Sequence, residues 1–218
     1  MTEGEYEDGY FERRVHDEAL RQRARESEYA RVLAKTGLAG GAVLDIGCGL
    51  GEFLDLFPGT AWQRYGLEVP ELAQDACRER GISFDLPDGE GWADLIILRG
   101  SLQHLDRPME TLTDAARWVR PGGWLVALAT PNAGGPVYRL FQELPALDPP
   151  RNWVVFSDRM LGQILTNLGF TEVSFAYPYR ESPYAKPVRD HLRFALRLVG
   201  VKRPFAFWRN MMECYARR

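Results

Sequence analysis

The 218-residue chain has only 3 cysteines, Cys48, Cys77 and Cys214, and they are widely separated. With no CxxC and no Cys/His cluster, the spacing excludes a zinc or iron–sulfur framework, and no metal is expected. It predicts reduced thiols and a cytoplasmic protein. No apolar run approaches the roughly 20 residues of a membrane span. The first eight residues are acidic, unlike a signal or transit peptide. Charge of one sign is also missing: 27 Lys and Arg oppose 30 Asp and Glu, a net −3, so no global nucleic-acid signature exists. Repeats and low-complexity tracts are absent. With 45% hydrophobic and 26% charged residues, the chain is an ordinary globular one, long enough to bury a proper core.

Apolar segments without alternation recur along the chain: 42–46, 65–68, 82–84, 93–98, 124–129, 171–177 and 210–216. Such runs suit strands covered on both faces. Helix-compatible segments lie between them at 52–57, 70–80, 108–119 and 158–168, where Ser157-Asp158 offers an N-cap and Gly169 a stop. The expectation is an α/β, doubly wound, Rossmann-like sheet of seven strands, mostly parallel with the last antiparallel. Residues 1–36 read as an N-terminal helical cover and 37–218 as the ligand-binding domain. Within it, 130–156 reads as a proline- and glycine-rich lid. Residues 178–208 form an insertion between the last two strands, longer than a hairpin requires.

The most informative segment is Val43-Leu44-Asp45-Ile46-Gly47-Cys48-Gly49-Leu50-Gly51-Glu52-Phe53. Glycines after a first strand permit a tight turn and let a ligand lie on the backbone at a helix start. A dinucleotide fingerprint is GxGxxG, whereas Gly47, Gly49 and Gly51 form GxGxG with Asp45 two residues before. No GxxxxGK[ST] exists, which excludes a P-loop. A turn without a ligand is the plain alternative.

Several ordered motifs resemble the class I S-adenosylmethionine-dependent methyltransferases, from about Val43 to Phe170. Val43–Phe53 is similar to the family's glycine-rich motif. Tyr65-Gly66-Leu67-Glu68 resembles its second strand with the ribose-binding acid. Asp94–Leu98 with Ser101-Leu102-Gln103-His104-Leu105 resembles the block around the fourth strand. Arg120-Pro121-Gly122-Gly123-Trp124-Leu125 is similar to the turn before the fifth. Residues 130–132 and 147–157 resemble a subgroup near the ubiquinone-pathway and bacterial glycan methyltransferases.

The resemblance implies S-adenosyl-L-methionine as cofactor, held by Asp45, Gly47, Cys48, Gly49 and Gly51 at the loop. Glu68 would take the ribose, Asp85 and Leu86 the adenine, and Arg99 and Gly100 the methionine end. Tyr10 and Arg14 would approach from the cover. Methyl transfer is an in-line displacement that needs alignment, and a base only when the acceptor must lose a proton. His104 is the candidate base; shaping the helix start is its other role. Gln103 replaces the usual glutamate. Asn152 replaces a lid histidine of the subgroup, so it can hydrogen-bond but not take a proton. Arg151, Asn152 and Trp153 are the acceptor-site candidates.

The implied activity is O-methylation of a hydroxyl on a glycan or a nucleotide-, phospho- or lipid-linked glycan precursor. A quinone-type phenol or other small molecule is the alternative acceptor, and a non-catalytic cofactor-fold interaction module the alternative of another class. No nucleic-acid partner is expected, and oligomeric state is open. Arg189, Arg193 and Arg197 fall on one helical face, beside an apolar face of Val188, Leu192, Ala195, Leu196 and Val199. That insertion, through 188–208, is a candidate peripheral membrane contact; a helix packed on the sheet edge is the alternative.

Overall fold

The computed structural model describes residues 18–142, 154–181, 185–201 and 210–218. Its elements in chain order are α1 (Glu18–Thr36), β1 (Gly41–Ile46), β2 (Trp62–Leu67), α2 (Glu71–Glu79), β3 (Ala93–Arg99), α3 (Pro108–Trp118) and β4 (Val119–Pro131). There follow α4 (Pro136–Phe141), α5 (Asp158–Asn167), β5 (Glu172–Ala176), α6 (Pro187–Leu198) and β6 (Met211–Arg217). The strands make one sheet in the order β2-β1-β3-β4-β6-β5. β1 to β4 pair in parallel, and β6 runs antiparallel to both of its neighbours.

The continuous apolar runs sort their residues by parity onto two faces. Leu44, Ile46, Ile96, Leu98, Leu125 and Ala127 join Leu112 and Ala115 of α3 and Leu161 and Leu165 of α5. Val43, Leu95, Ile97, Val126 and Leu128 face the other way, with Val32 of α1, Phe57 and Cys77 of α2. Burial on both faces removes the polar alternation that a one-sided sheet shows. The second face also has an aromatic contribution: Phe57 meets Tyr29 and Trp62 edge-on at 4.9 and 5.1 Å.

Three expectations need correction. The sheet has six strands, not seven, because the segment at 82–84 reduces to one bridge between Tyr65 and Ser83. Gly81, at φ +71°, turns the chain into it, and the Ser83 hydroxyl accepts from Asp85 N at 3.1 Å and turns it out again. Too few residues remain between these turns for a ladder. The helix expected over 52–57 is a single 3₁₀ turn, Leu54–Leu56. Pro58 follows directly, and a segment that short cannot repay helix nucleation. The stretch assigned to a lid begins differently: residues 130–131 complete β4, and 136–141 form α4. The remainder of the lid at 143–153 lies outside the described residues, as do residues 1–17 of the expected cover.

α5 starts at Ser157 as expected, whose hydroxyl accepts from Met160 N at 3.1 Å. α6 lies in the chain between β5 and β6. Val188 and Val199 stand 87% and 76% exposed on it. Among the described residues, no helix is long and apolar enough to cross a membrane.

Candidate active site

β1 ends at Ile46, and the chain turns through Gly47, Gly49 and Gly51, all at positive φ (+79°, +56° and +78°). The three glycines serve different needs. A Cβ on Gly47 would stand 2.5 Å from Ser101 Cβ, and one on Gly51 would stand 2.5 Å from Ile82 Cδ1. Those two close the loop onto the protein. A Cβ on Gly49 would meet nothing within 4 Å. Its bare backbone faces a cleft of about 500 Å³ at the carboxyl ends of β1, β2 and β3. Ligands bind at that edge of doubly wound sheets.

Backbone bonds hold the loop: Gly47 N donates to Leu67 O at 2.8 Å, and Gly51 N to Cys48 O at 3.0 Å. Glu68, one residue past β2, fastens it from the opposite wall. Its carboxylate accepts from Gly49 N at 2.8 Å and from Val69 N at 2.9 Å. Gln74 of α2 donates to the Glu68 carbonyl at 2.8 Å, which fixes the residue's backbone. The carboxylate is half-buried and remains on the cleft wall.

Asp45 is the unusual group. It is 1% exposed, and among the described residues nothing hydrogen-bonds its Oδ1. Burial pushes its carboxyl up to about 7; Arg99 opposes the shift and Glu68 adds to it. A buried carboxylate without a donor costs free energy, so this atom fits a cationic ligand in the cleft.

Arg99 Nε donates to Glu28 Oε2 of α1 at 2.6 Å, and its guanidinium lies 5.4 Å from the Phe53 ring centroid. Arg25, also from α1, reaches the cleft wall although it is only 3% exposed. Glu52 accepts from Arg25 Nη1 at 3.0 Å, and Glu18 and Gln22 hold its other nitrogens. Across the cleft, Ser101 Oγ donates to Ile46 O at 2.5 Å and ties the segment after β3 to the end of β1. The 3₁₀ turn Leu102–His104 then puts a half-buried His104 on the wall, its backbone N–H bonded to Ser101 O at 2.8 Å. Gln103 points inward, 7% exposed, and donates to Gly100 O at 2.9 Å.

The cleft thus gathers Asp45, Gly47, Cys48, Gly49, Glu68, Arg99, Gly100 and His104 from the expected set. Gly51 lies beneath the loop rather than on the wall. Asp85 and Leu86 do not line the cleft; Asp85 is exposed, and Leu86 packs, partly buried, against the core. Tyr10, Arg14, Arg151, Asn152 and Trp153 lie outside the described residues. Arg25 was not legible in the sequence, because it sits in a run of arginines and glutamates with nothing to mark it. Only the packing of α1 distinguishes it from its neighbours. Among the described residues, no cluster of His, Cys, Asp and Glu is arranged to hold a metal.

Residues 16–174 match the model of a family described as a methyltransferase domain. The chain is 27% identical over 199 residues to a malonyl-[acyl-carrier protein] O-methyltransferase of Paenibacillus sp., spanning 79% of this chain and 71% of that one. It is 29% identical over 116 residues to a ubiquinone biosynthesis O-methyltransferase of Thiobacillus denitrificans, with 47% of this chain and 50% of that one aligned. In fold it is similar to a SAM-dependent methyltransferase from Archaeoglobus fulgidus, with a TM-score of 0.63 at 21% identity, covering 97% of this chain and all of that one. A SAM-dependent methyltransferase from Thermotoga maritima superposes with a TM-score of 0.61 at 19% identity, covering 96% and 94%.

Proposed function

Since the chain belongs to the methyltransferase-domain family and uses S-adenosylmethionine as its cofactor, we propose that it transfers the methyl group to a hydroxyl oxygen, with His104 as the base. The observation that carries this reading is the placement of one imidazole on the wall of the cleft that also holds the glycine loop and Asp45.

The residues present fit the cofactor on two counts. The orphaned Asp45 Oδ1 suits the amino-acid ammonium, and the open face of Gly49 suits close approach of the ligand to backbone. When bound, the cofactor supplies an electrophilic methyl on a sulfonium. The chain's own part is alignment, exclusion of water and proton removal. Glu68 is placed to accept from ribose hydroxyls while it holds Gly49 N. Arg25 and Arg99 bring positive charge to the methionine side. His104 takes the proton from the acceptor hydroxyl as the oxygen attacks. Arg151, Asn152 and Trp153 are proposed for the acceptor side.

The acceptor is proposed to be a glycan or a nucleotide-, phospho- or lipid-linked glycan precursor, on the resemblance of residues 147–157. A quinone-type phenol is the second reading, favoured by the ubiquinone-pathway relative. A panel of both acceptor classes with labelled cofactor distinguishes them, with the methyl position read by mass spectrometry. Label on nitrogen or carbon, or no turnover with any hydroxyl, overturns the proposal. For the base, His104→Gln is expected to lower kcat by about 10²–10³-fold. Affinity for S-adenosylhomocysteine should hold; an unchanged kcat removes His104 from the chemistry.

A further inference from the structure

Two of the three cysteines, 29 residues apart in sequence, meet beneath the glycine loop, with Cys48 Sγ 3.8 Å from Cys77 Sγ. Cys48 sits between Gly47 and Gly49 and lines the cleft. Cys77 is fully buried near the end of α2, and its thiol donates to Gly49 O at 3.3 Å. Cys214 is buried separately in β6. The pair is therefore a dithiol built from the loop and the helix it packs on, and the methyl-transfer chemistry uses neither sulfur.

The two thiols are not equivalent. The hydrogen bond from Cys48 holds the Cys77 thiol below its ordinary value against burial, with help from Arg80. That same bond, together with burial, pushes Cys48 up. The two thiols titrate as a pair, and the hydrogen bond between them favours loss of one proton over two. A thiolate beside a second thiol is the arrangement that peroxides oxidise.

We infer that Cys48 and Cys77 are a peroxide-sensitive modification site, whose closure to a disulfide draws the glycine loop toward α2 and weakens cofactor binding. In the first step the thiolate of the pair attacks one oxygen of hydrogen peroxide and the O–O bond breaks. The hydroxide that leaves takes a proton and becomes water, and that cysteine is left as a sulfenic acid. The second sulfur then attacks the sulfenic sulfur and displaces its hydroxyl, which leaves with the second thiol's proton as a second water. Two thiols lose two electrons, and one peroxide becomes two waters.

The structure provides both the route and the consequence. The cleft opens onto Cys48, so a small peroxide reaches the pair, and a bound cofactor would cover that entrance. A disulfide needs its sulfurs at about 2 Å, well inside the present separation. Little room exists to absorb this elsewhere: even a Cβ on Gly66 would stand 2.8 Å from Cys48 Sγ. The glycines on either side of Cys48 are the pliant partners. Moving them takes Gly49 N away from Glu68 and removes the thiol bond to Gly49 O.

The inference rests on the reading that the cofactor lies on this loop, so the test separates the two. Purified protein is treated with hydrogen peroxide, digested without reduction and mapped by mass spectrometry, and S-adenosylhomocysteine affinity is measured by calorimetry in parallel. A Cys48–Cys77 cross-linked peptide is expected, with Cys214 unlinked and with slower formation when S-adenosylhomocysteine is present. Loss of one or two backbone contacts should weaken binding by roughly tenfold, reversibly with dithiothreitol. Cys77→Ala should keep its affinity through the same treatment. Absence of the cross-linked peptide from wild type overturns the inference whether or not the variant folds, as does a cross-linked protein that binds unchanged. Should the reduced protein fail to bind S-adenosylhomocysteine at all, the site reading falls, while the peptide map still reports the dithiol.

Discussion

At Asp45, on the cleft wall, burial and charge conflict. Its carboxyl, raised to about 7 by burial, binds a proton in the folded chain at pH values where an unfolded aspartate is already ionised. The stability it contributes is therefore fully present below the ordinary carboxylate range, near pH ~4, and is lost as pH rises toward 7. A cationic ligand reverses the preference, because it favours the carboxylate. Binding of S-adenosylhomocysteine should weaken as pH falls below about 7 and should release up to about one proton at pH ~6. Calorimetry in buffers of different ionisation enthalpy measures that proton directly. Asp45→Asn should flatten the dependence, and an equal proton release in the variant would assign it elsewhere. Glu68 gives a second prediction at this scale, since its carboxylate holds Gly49 N and Val69 N together. Glu68→Ala loses these bonds as well as any ribose contact, so affinity should fall by about 100-fold or more. Isothermal titration of the variant checks it, and unchanged affinity removes Glu68 from the site. Asp45 was legible from its spacing to the glycines, and Glu68 from its place at the end of the second strand in a motif that resembles the family's. Arg25 was not, because a buried arginine is distinguished by what packs around it.

Among the elements, α1 decides how the cleft is walled on one side. It is stapled to the sheet through Arg31, whose Nε donates to both carboxylate oxygens of Glu213 on β6 at 3.1 and 3.2 Å. Tyr215 Oη donates to the same carboxylate at 2.7 Å, and Glu213 is 2% exposed. Burial works against the Arg31 charge, but Glu213 outweighs it and holds the guanidinium above its ordinary value. Removing one partner strands a buried carboxylate, so Arg31→Ala should cost about 3 kcal/mol in urea denaturation. Replacing both, as Arg31→Met with Glu213→Leu, should recover most of that. A single variant as stable as wild type would reduce the pair to an ordinary surface contact. Hydrophobic pattern located α2, α3 and α5 within a residue or two, since each buries an apolar stripe; α6 also lies where its period put it, although Val188, Leu192 and Leu198 stand exposed on it. It failed at 52–57, where Phe53, Leu54 and Phe57 are all buried in a turn too short to be a helix. An apolar run of that length carries no period to distinguish the two.

For the whole molecule, the consequential feature is that β6, last in the chain, pairs with both β4 and β5. Val126 and Ala127 of β4 face Tyr215 and Cys214, which Ser174 and Phe175 of β5 meet from the other side. Deleting residues 211–218 removes a strand from inside the sheet and takes Glu213 from α1. Loss of the cooperative thermal transition is expected, with no stabilisation by S-adenosylhomocysteine. A deletion protein that melts cooperatively and is shifted by the ligand would show the first four strands to be self-sufficient. The glycine turn and Asp45 before it follow from local backbone need and spacing, most strands and helices from periods of a few residues, and Glu68 from its place after the second strand together with the family resemblance. Six strands rather than seven, the burial that lifts Asp45, the arrival of Arg25 and the meeting of Cys48 with Cys77 were decided only by the tertiary structure. Each depends on what the fold brings alongside a residue from far away in the chain, and no local pattern encodes that distance.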